Sequence, residues 1–136
     1  MNNCLASTTF VRVGLPDLTT TLVSGQPATA QIGQKFTLTD TVVNQGNVSA
    51  AAFTARYYLS VDTVWNLGDV LLTGGRSVPI LAPGATSVGS KIVTVPTTAI
   101  SGTYHVLACA DDVKKVVESD ELNNCVASGG TIVIGP

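Results

Sequence analysis

The sequence predicts an all-β domain built as two packed sheets. Valine and threonine make up more than a quarter of the chain, and their β-branched side chains suit a pleated surface better than a helix. Thirteen glycines and six prolines punctuate the 136 residues, and strand signals recur between them every 10 to 20 residues. Several of these runs alternate apolar and polar residues with a period of two. That is the pattern of strands with one face turned to a core.

The expected strands follow in order. DLTTTLV (17–23) stops at Ser24-Gly25-Gln26-Pro27, and KFTLTDTVV (35–43) stops at Asn44-Gln45-Gly46-Asn47. AFTARYYLS (52–60) leads into the polar loop 61–69, which holds the single tryptophan, Trp65. VLLTGGRSVPIL (70–81) ends at Ala82-Pro83-Gly84, and SKIVTV (90–95), TYHVLACAD (103–111) and CVASGGTIVI (125–134) complete the set. Phe36, Leu38 and Val42 share one face, and Phe53, Ala55, Tyr57 and Leu59 share another, so these faces are expected to meet in the core. Asp40 falls on the inward side of its strand. It needs either a buried partner such as the Tyr57 hydroxyl or water, or a bulge that turns it outward. The stretch 112–124 is read as a long hairpin loop with at most one helical turn.

Composition narrows the function. Net charge is -2 and only 12% of residues are charged. The lysines and arginines form no basic stripe, which argues against nucleic acid as a partner. No run approaches the length needed to cross a bilayer, so membrane insertion is not expected. The opening MNNCLASTTF lacks the basic-then-apolar order of a secretion signal; an export signal would lie outside this stretch.

The chain also contains a copy of its own end. Asn2-Asn3-Cys4-Leu5-Ala6-Ser7 matches Asn123-Asn124-Cys125-Val126-Ala127-Ser128, and the match continues to Gly14 against Gly135. The simplest account is a tandem array with a period of about 121 residues, the distance from Asn2 to Asn123. Residues 1–15 would then be the closing strand of a preceding repeat, or belong to a neighbour, and 16–136 would be one complete unit. A second reading places residues 4–14 in a neighbouring identical subunit, completing its sandwich by strand exchange and building a filament.

Three groups of residues between Pro16 and Ser128 resemble the CARDB domain, a bacterial module named for cell adhesion. They are Pro16-Asp17-Leu18 with Gly33-Gln34-Lys35-Phe36 and Asn44-Gln45-Gly46; Tyr58-Leu59-Ser60-Val61-Asp62 with Gly68-Asp69-Val70; and Gly102-Thr103-Tyr104 with Asp111, Val117-Glu118, Glu121 and Asn123-Asn124. The resemblance implies a seven-stranded immunoglobulin-like or fibronectin-III-like sandwich. It also implies an extracellular or cell-surface location and no catalytic residues, hence no enzyme.

Two sets of side chains remain as candidates. Cys109 lies late in one strand of the final hairpin and Cys125 early in the other, within reach of a disulfide; the resemblance implies an oxidising setting that would favour it over three reduced thiols. Cys4 would then pair with a preceding repeat or a neighbouring chain. Five of the nine acidic residues fall between Asp111 and Glu121. Asp111, Asp112, Glu118, Glu121 and Asn123 offer the hard oxygen ligands that calcium takes. The same residues can equally cap turns and pair with Lys114 or Lys115. Asp62, Asn66 and Asp69 form a sparser set open to the same two readings. No nucleophile, phosphate-loop or Cys/His metal spacing is present.

Overall fold

The structure, a computed structural model, describes residues 14–112, 114, 116, 118 and 123–136. Residues 1–13, and with them Cys4 and the copied strand, lie outside the described residues, as does Glu121. Eight strands run in chain order: β1 (Leu18–Ser24), β2 (Thr29–Gln31), β3 (Lys35–Asn44), β4 (Phe53–Ser60), β5 (Val70–Val78), β6 (Thr86–Thr94), β7 (Gly102–Ala110) and β8 (Cys125–Gly135). The described residues contain no helix. All seven expected strands are present. The addition is β2, three residues long and therefore too short to show a period.

The strands pair in the order β1-β3-β6-β5-β4-β7-β8-β2. β1, β3 and β6 form one layer and β4, β7, β8 and β2 the other, with β5 joining them. β1 and β2 act as one strand that changes layers: the break at Ser24-Gly25-Gln26-Pro27 ends the antiparallel pairing with β3, and Thr29–Gln31 then pairs parallel to Val133–Gly135 of β8. β5 makes the other connection. It pairs with β4 at both ends but skips between Arg56 and Tyr58, and in that bulge Thr73 turns to pair with Thr94 of β6. Gly74 follows with φ of 119°, in the left-handed region, and a β-carbon there would lie 2.8 Å from the Ile92 carbonyl oxygen. Only glycine permits both the dihedral and the close approach.

Alternation places the core as expected. Leu38 of β3 packs in one cluster with Tyr57 and Leu59 of β4, Val93 of β6, Val106 of β7 and Ile132 and Ile134 of β8, while Val42 packs in a second with Leu18 of β1, Phe53 of β4 and Val78 of β5. β7 is buried on both faces from Val106 to Ala110, because loop 61–69 folds over its outer side. That covering gives β7 the near-continuous apolar run typical of a central strand.

Asp40 points inward and is completely buried. Tyr57 Oη donates to Asp40 Oδ1 at 2.5 Å, as one of the sequence-based alternatives requires. The stronger partner is one the sequence did not reveal. Arg76 of β5 donates from Nε to Asp40 Oδ1 at 2.9 Å and from Nη2 to Oδ2 at 2.7 Å, a bidentate ion pair. Its Nη1 donates to Ser87 Oγ at 2.9 Å. Arg76 reaches inward across Gly89, the residue paired with Asp40 on β6; a β-carbon on Gly89 would lie 2.5 Å from Arg76 Cδ.

Burial, then the hydrogen bond to the Asp40 carboxylate, pushes the Tyr57 hydroxyl well above its ordinary pKa of 10.0. Tyr58 is raised by burial and by Asp112. In the unfolded chain both titrate near 10, whereas the folded chain keeps both protons. The unfolded state therefore binds fewer protons above pH 10, and stability falls as pH rises from there toward the folded values. Denaturant melts between pH 8 and 11.5 should show this alkaline loss, and Tyr57→Phe should flatten it relative to its own value at pH 8.

Candidate functional site

The described residues nominated for calcium, Asp111, Asp112, Glu118 and Asn123, lie at the pole where β1 begins and the β7–β8 hairpin turns. Asp111 directly follows β7, and its φ of 49° turns the chain out of the sheet, a conformation aspartate tolerates. Asp111 Oδ2 then accepts the Val116 amide at 2.7 Å. Asp111 N–H donates to the Thr54 carbonyl at 3.0 Å, so the turn is tied to β4 and closes on itself.

Glu118 reaches across to β1. Its Oε1 accepts the Leu18 amide at 3.0 Å, and its Oε2 accepts Asn124 Nδ2 at 2.7 Å. Asn124 Nδ2 also donates to the Ala110 carbonyl at 2.8 Å, and the Asn124 carbonyl accepts Thr20 Oγ1 at 2.7 Å. Asn123 Nδ2 donates to Asp17 Oδ1 at 2.8 Å. On the other side of β1, Asn44 Oδ1 accepts the amides of Asp17 at 3.1 Å and Gly46 at 3.0 Å, while its Nδ2 donates to the carbonyls of Val48 and Leu81. Asp17, Leu18, Asn44, Gly46, Glu118, Asn123 and Asn124 thus form one clasp that fixes the start of β1 to both neighbouring turns.

Asp112 stands apart from that clasp. Tyr58 donates to its Oδ2, and Arg56 Nε lies 3.2 Å from the same oxygen, with Arg56 also bonded to the Tyr58 hydroxyl at 3.1 Å. Among the described residues no three His, Cys, Asp or Glu side chains converge on one point. These carboxylates accept from N–H, hydroxyl and guanidinium donors, which compete with a cation for the same oxygens.

Cys109 and Cys125 are directly opposite each other on β7 and β8 and are joined by a disulfide across 16 residues. Trp65 packs over this bond, its ring edge-on to Tyr58 with centroids 5.9 Å apart, in a cluster with Leu107 and Ala127. A hollow of about 380 Å³ opens between Trp65 and Asp112. The sparser acidic set closes its own loop. Asp62 Oδ1 accepts the Val64 amide, Asn66 Oδ1 the Gly68 amide and Asp69 Oδ2 the Asn66 amide, at 2.8–3.0 Å. These are side-chain turn caps.

The CARDB family profile matches residues 15–128, which includes every member of the clasp. The chain belongs to the CARDB family. This is an adhesion-related module family with no enzymatic activity of its own. Solved structures agree on the fold. A CARDB domain from Pyrococcus furiosus, solved in complex with di-metal ions, is 22% identical with a TM-score of 0.60 and covers 98% of this chain and 100% of its own. A domain of a candidate cell surface protein from Methanosarcina acetivorans is 20% identical with a TM-score of 0.60, covering 89% and 93%. A β-glucosidase from Erythrobacter marinus carries a similar fold, at 13% identity and a TM-score of 0.54, in 16% of its chain against 88% of this one. No curated protein sequence matches. All seven residues that hold β1 in place are among those by which this chain resembles CARDB.

Proposed function

We propose that this CARDB domain is a rigid, non-catalytic spacer in an extracellular or cell-surface adhesion protein, one unit of a tandem array. The path of the chain carries the reading. Leu18 of β1 pairs with Asn44 at the pole where β4 begins and β7 ends, whereas β8 finishes at Gly135 beside Gln31 of β2, at the opposite pole. Copies joined in series through opposite poles lengthen a stalk. The copied segment NNC-x-A-S at residues 2–7, the low charge and a disulfide suited to an oxidising compartment support the same reading. So does the surface assignment of the Methanosarcina relative.

The intrachain Cys109–Cys125 bond favours the array over the filament. Residues 125–135 already occupy the position beside β7 that residues 4–14 of a neighbour would need, and the disulfide holds them there. In an array, Cys4 pairs with the preceding unit. Non-reducing peptide mapping of this chain tests the choice: Cys109–Cys125 within a monomer, with Cys4 reduced, is expected. Cys4–Cys109 crosslinks between chains in growing polymers would overturn it.

A further inference from the structure

The copy of β8 that opens the sequence ends at Gly14, the counterpart of Gly135, and β1 begins at Leu18. Only Leu15, Pro16 and Asp17 separate a preceding unit from this one, roughly 13 Å from Gly14 to Leu18 even when fully extended. Pro16 restricts this segment further by fixing its own φ and keeping Leu15 extended. The segment is also fastened to the pole it enters. The Asp17 amide donates to Asn44 Oδ1, the Asp17 carbonyl accepts the Gln45 amide at 2.7 Å, and Asp17 Oδ1 accepts Asn123 Nδ2. Gly46 lets the linker lie against its turn, since a β-carbon there would sit 2.3 Å from the Leu15 carbonyl oxygen. A tether this short and this firmly held brings the poles of successive units together.

Both poles carry exposed aliphatic side chains. At the entry pole these are Leu15, Val48 and Ile80, the last 70% exposed. The Ala50–Leu81 bridge sets the loops bearing Val48 and Ile80 side by side. At the exit pole they are Val61, Leu67 and Ile100, with exposures of 77%, 92% and 74%. Val61 and Ile100 line one hollow there. Comparable exposure occurs on the sheet at Val88 and Ile92; what distinguishes the poles is that the short, fastened tether brings their aliphatic groups opposite those of the next unit.

We propose that Val61, Leu67 and Ile100 of one unit pack against Leu15, Val48 and Ile80 of the next copy, so that the array is stiff at every junction. This rests on the array reading and adds that neighbouring units form one rigid body. The test is a two-unit chain: residues 1–135 followed directly by a second copy of residues 15–136, which keeps the native Gly-Leu-Pro-Asp linker. NMR residual dipolar couplings should fit a single alignment tensor for both units. Leu67→Ser in the first copy or Ile80→Ser in the second faces the junction and should split the fit into two tensors. The same substitutions at the outer poles, Leu67→Ser in the second copy or Ile80→Ser in the first, should leave one tensor. All four positions are exposed, so folding is preserved. Two independent tensors in the unsubstituted chain, or equal behaviour of facing and outer variants, would overturn the junction. The array reading itself would survive that result and stands or falls on the disulfide map.

Discussion

Asp40→Ala should lower the unfolding free energy by about 3–5 kcal/mol, the usual cost of breaking a buried ion pair from one side. The change leaves the Arg76 guanidinium, 11% exposed at its side chain, with only Ser87 as partner, and removes the acceptor of the Tyr57 hydroxyl. For a domain of this size the melting temperature should fall by roughly 10–20 °C. The network is not predicted to be the most stable solution to this core. Replacing all three residues by apolar groups of similar volume, Asp40→Leu with Arg76→Met and Tyr57→Phe, should recover most of the loss, because no charge or hydroxyl is then stranded. What the pair provides is position. It joins β3 to β5, and its bidentate geometry fits one alignment of the layers.

Glu118→Ala should cost about 2–3 kcal/mol, since hydrogen bonds to a charged group contribute more than neutral ones. It strands the Leu18 amide and takes one acceptor from Asn124. The loss should be local. β1 is an edge strand whose other partner is β3, so it should loosen while β4 and β7 stay protected. Glu118→Gln should be nearly as harmful: a neutral amide keeps one acceptor for Leu18 but presents a second donor to the Asn124 Nδ2 group. Native-state amide exchange of both variants against the parent chain measures these effects, as a lower opening free energy at β1.

The strands were legible because alternation and turn chemistry are local. Loop 61–69 was legible too, since its aspartates and asparagine cap turns within three residues of themselves. The partner of Asp40 was not. An inward carboxylate flagged the need for one, but Arg76 lies on a strand whose bulge at residues 72–74 sets its inward face, and Gly89 makes room for it from a third strand. No spacing in the sequence encodes that meeting. The acidic loop was legible as a cluster of oxygen ligands and capping groups, and composition could not separate the two roles. What no local pattern shows is that β1 passes beside the loop, about 100 residues away in sequence, and offers the Leu18 amide to Glu118. Glu121 and Cys4 lie outside the described residues, so their expected roles are carried only by the sequence.

The account turns on the loop between β7 and β8 acting as a clasp for β1, and amide exchange at Leu18 tests that most directly. In the parent chain this amide should be protected, and in Glu118→Ala it should exchange about 10–100-fold faster while the amides of β4 and β7 are unchanged. Millimolar calcium should leave the Leu18 rate in the parent chain as it is. An unchanged Leu18 rate in Glu118→Ala, together with slowing by calcium in the parent chain, would contradict the clasp and make the loop a metal site.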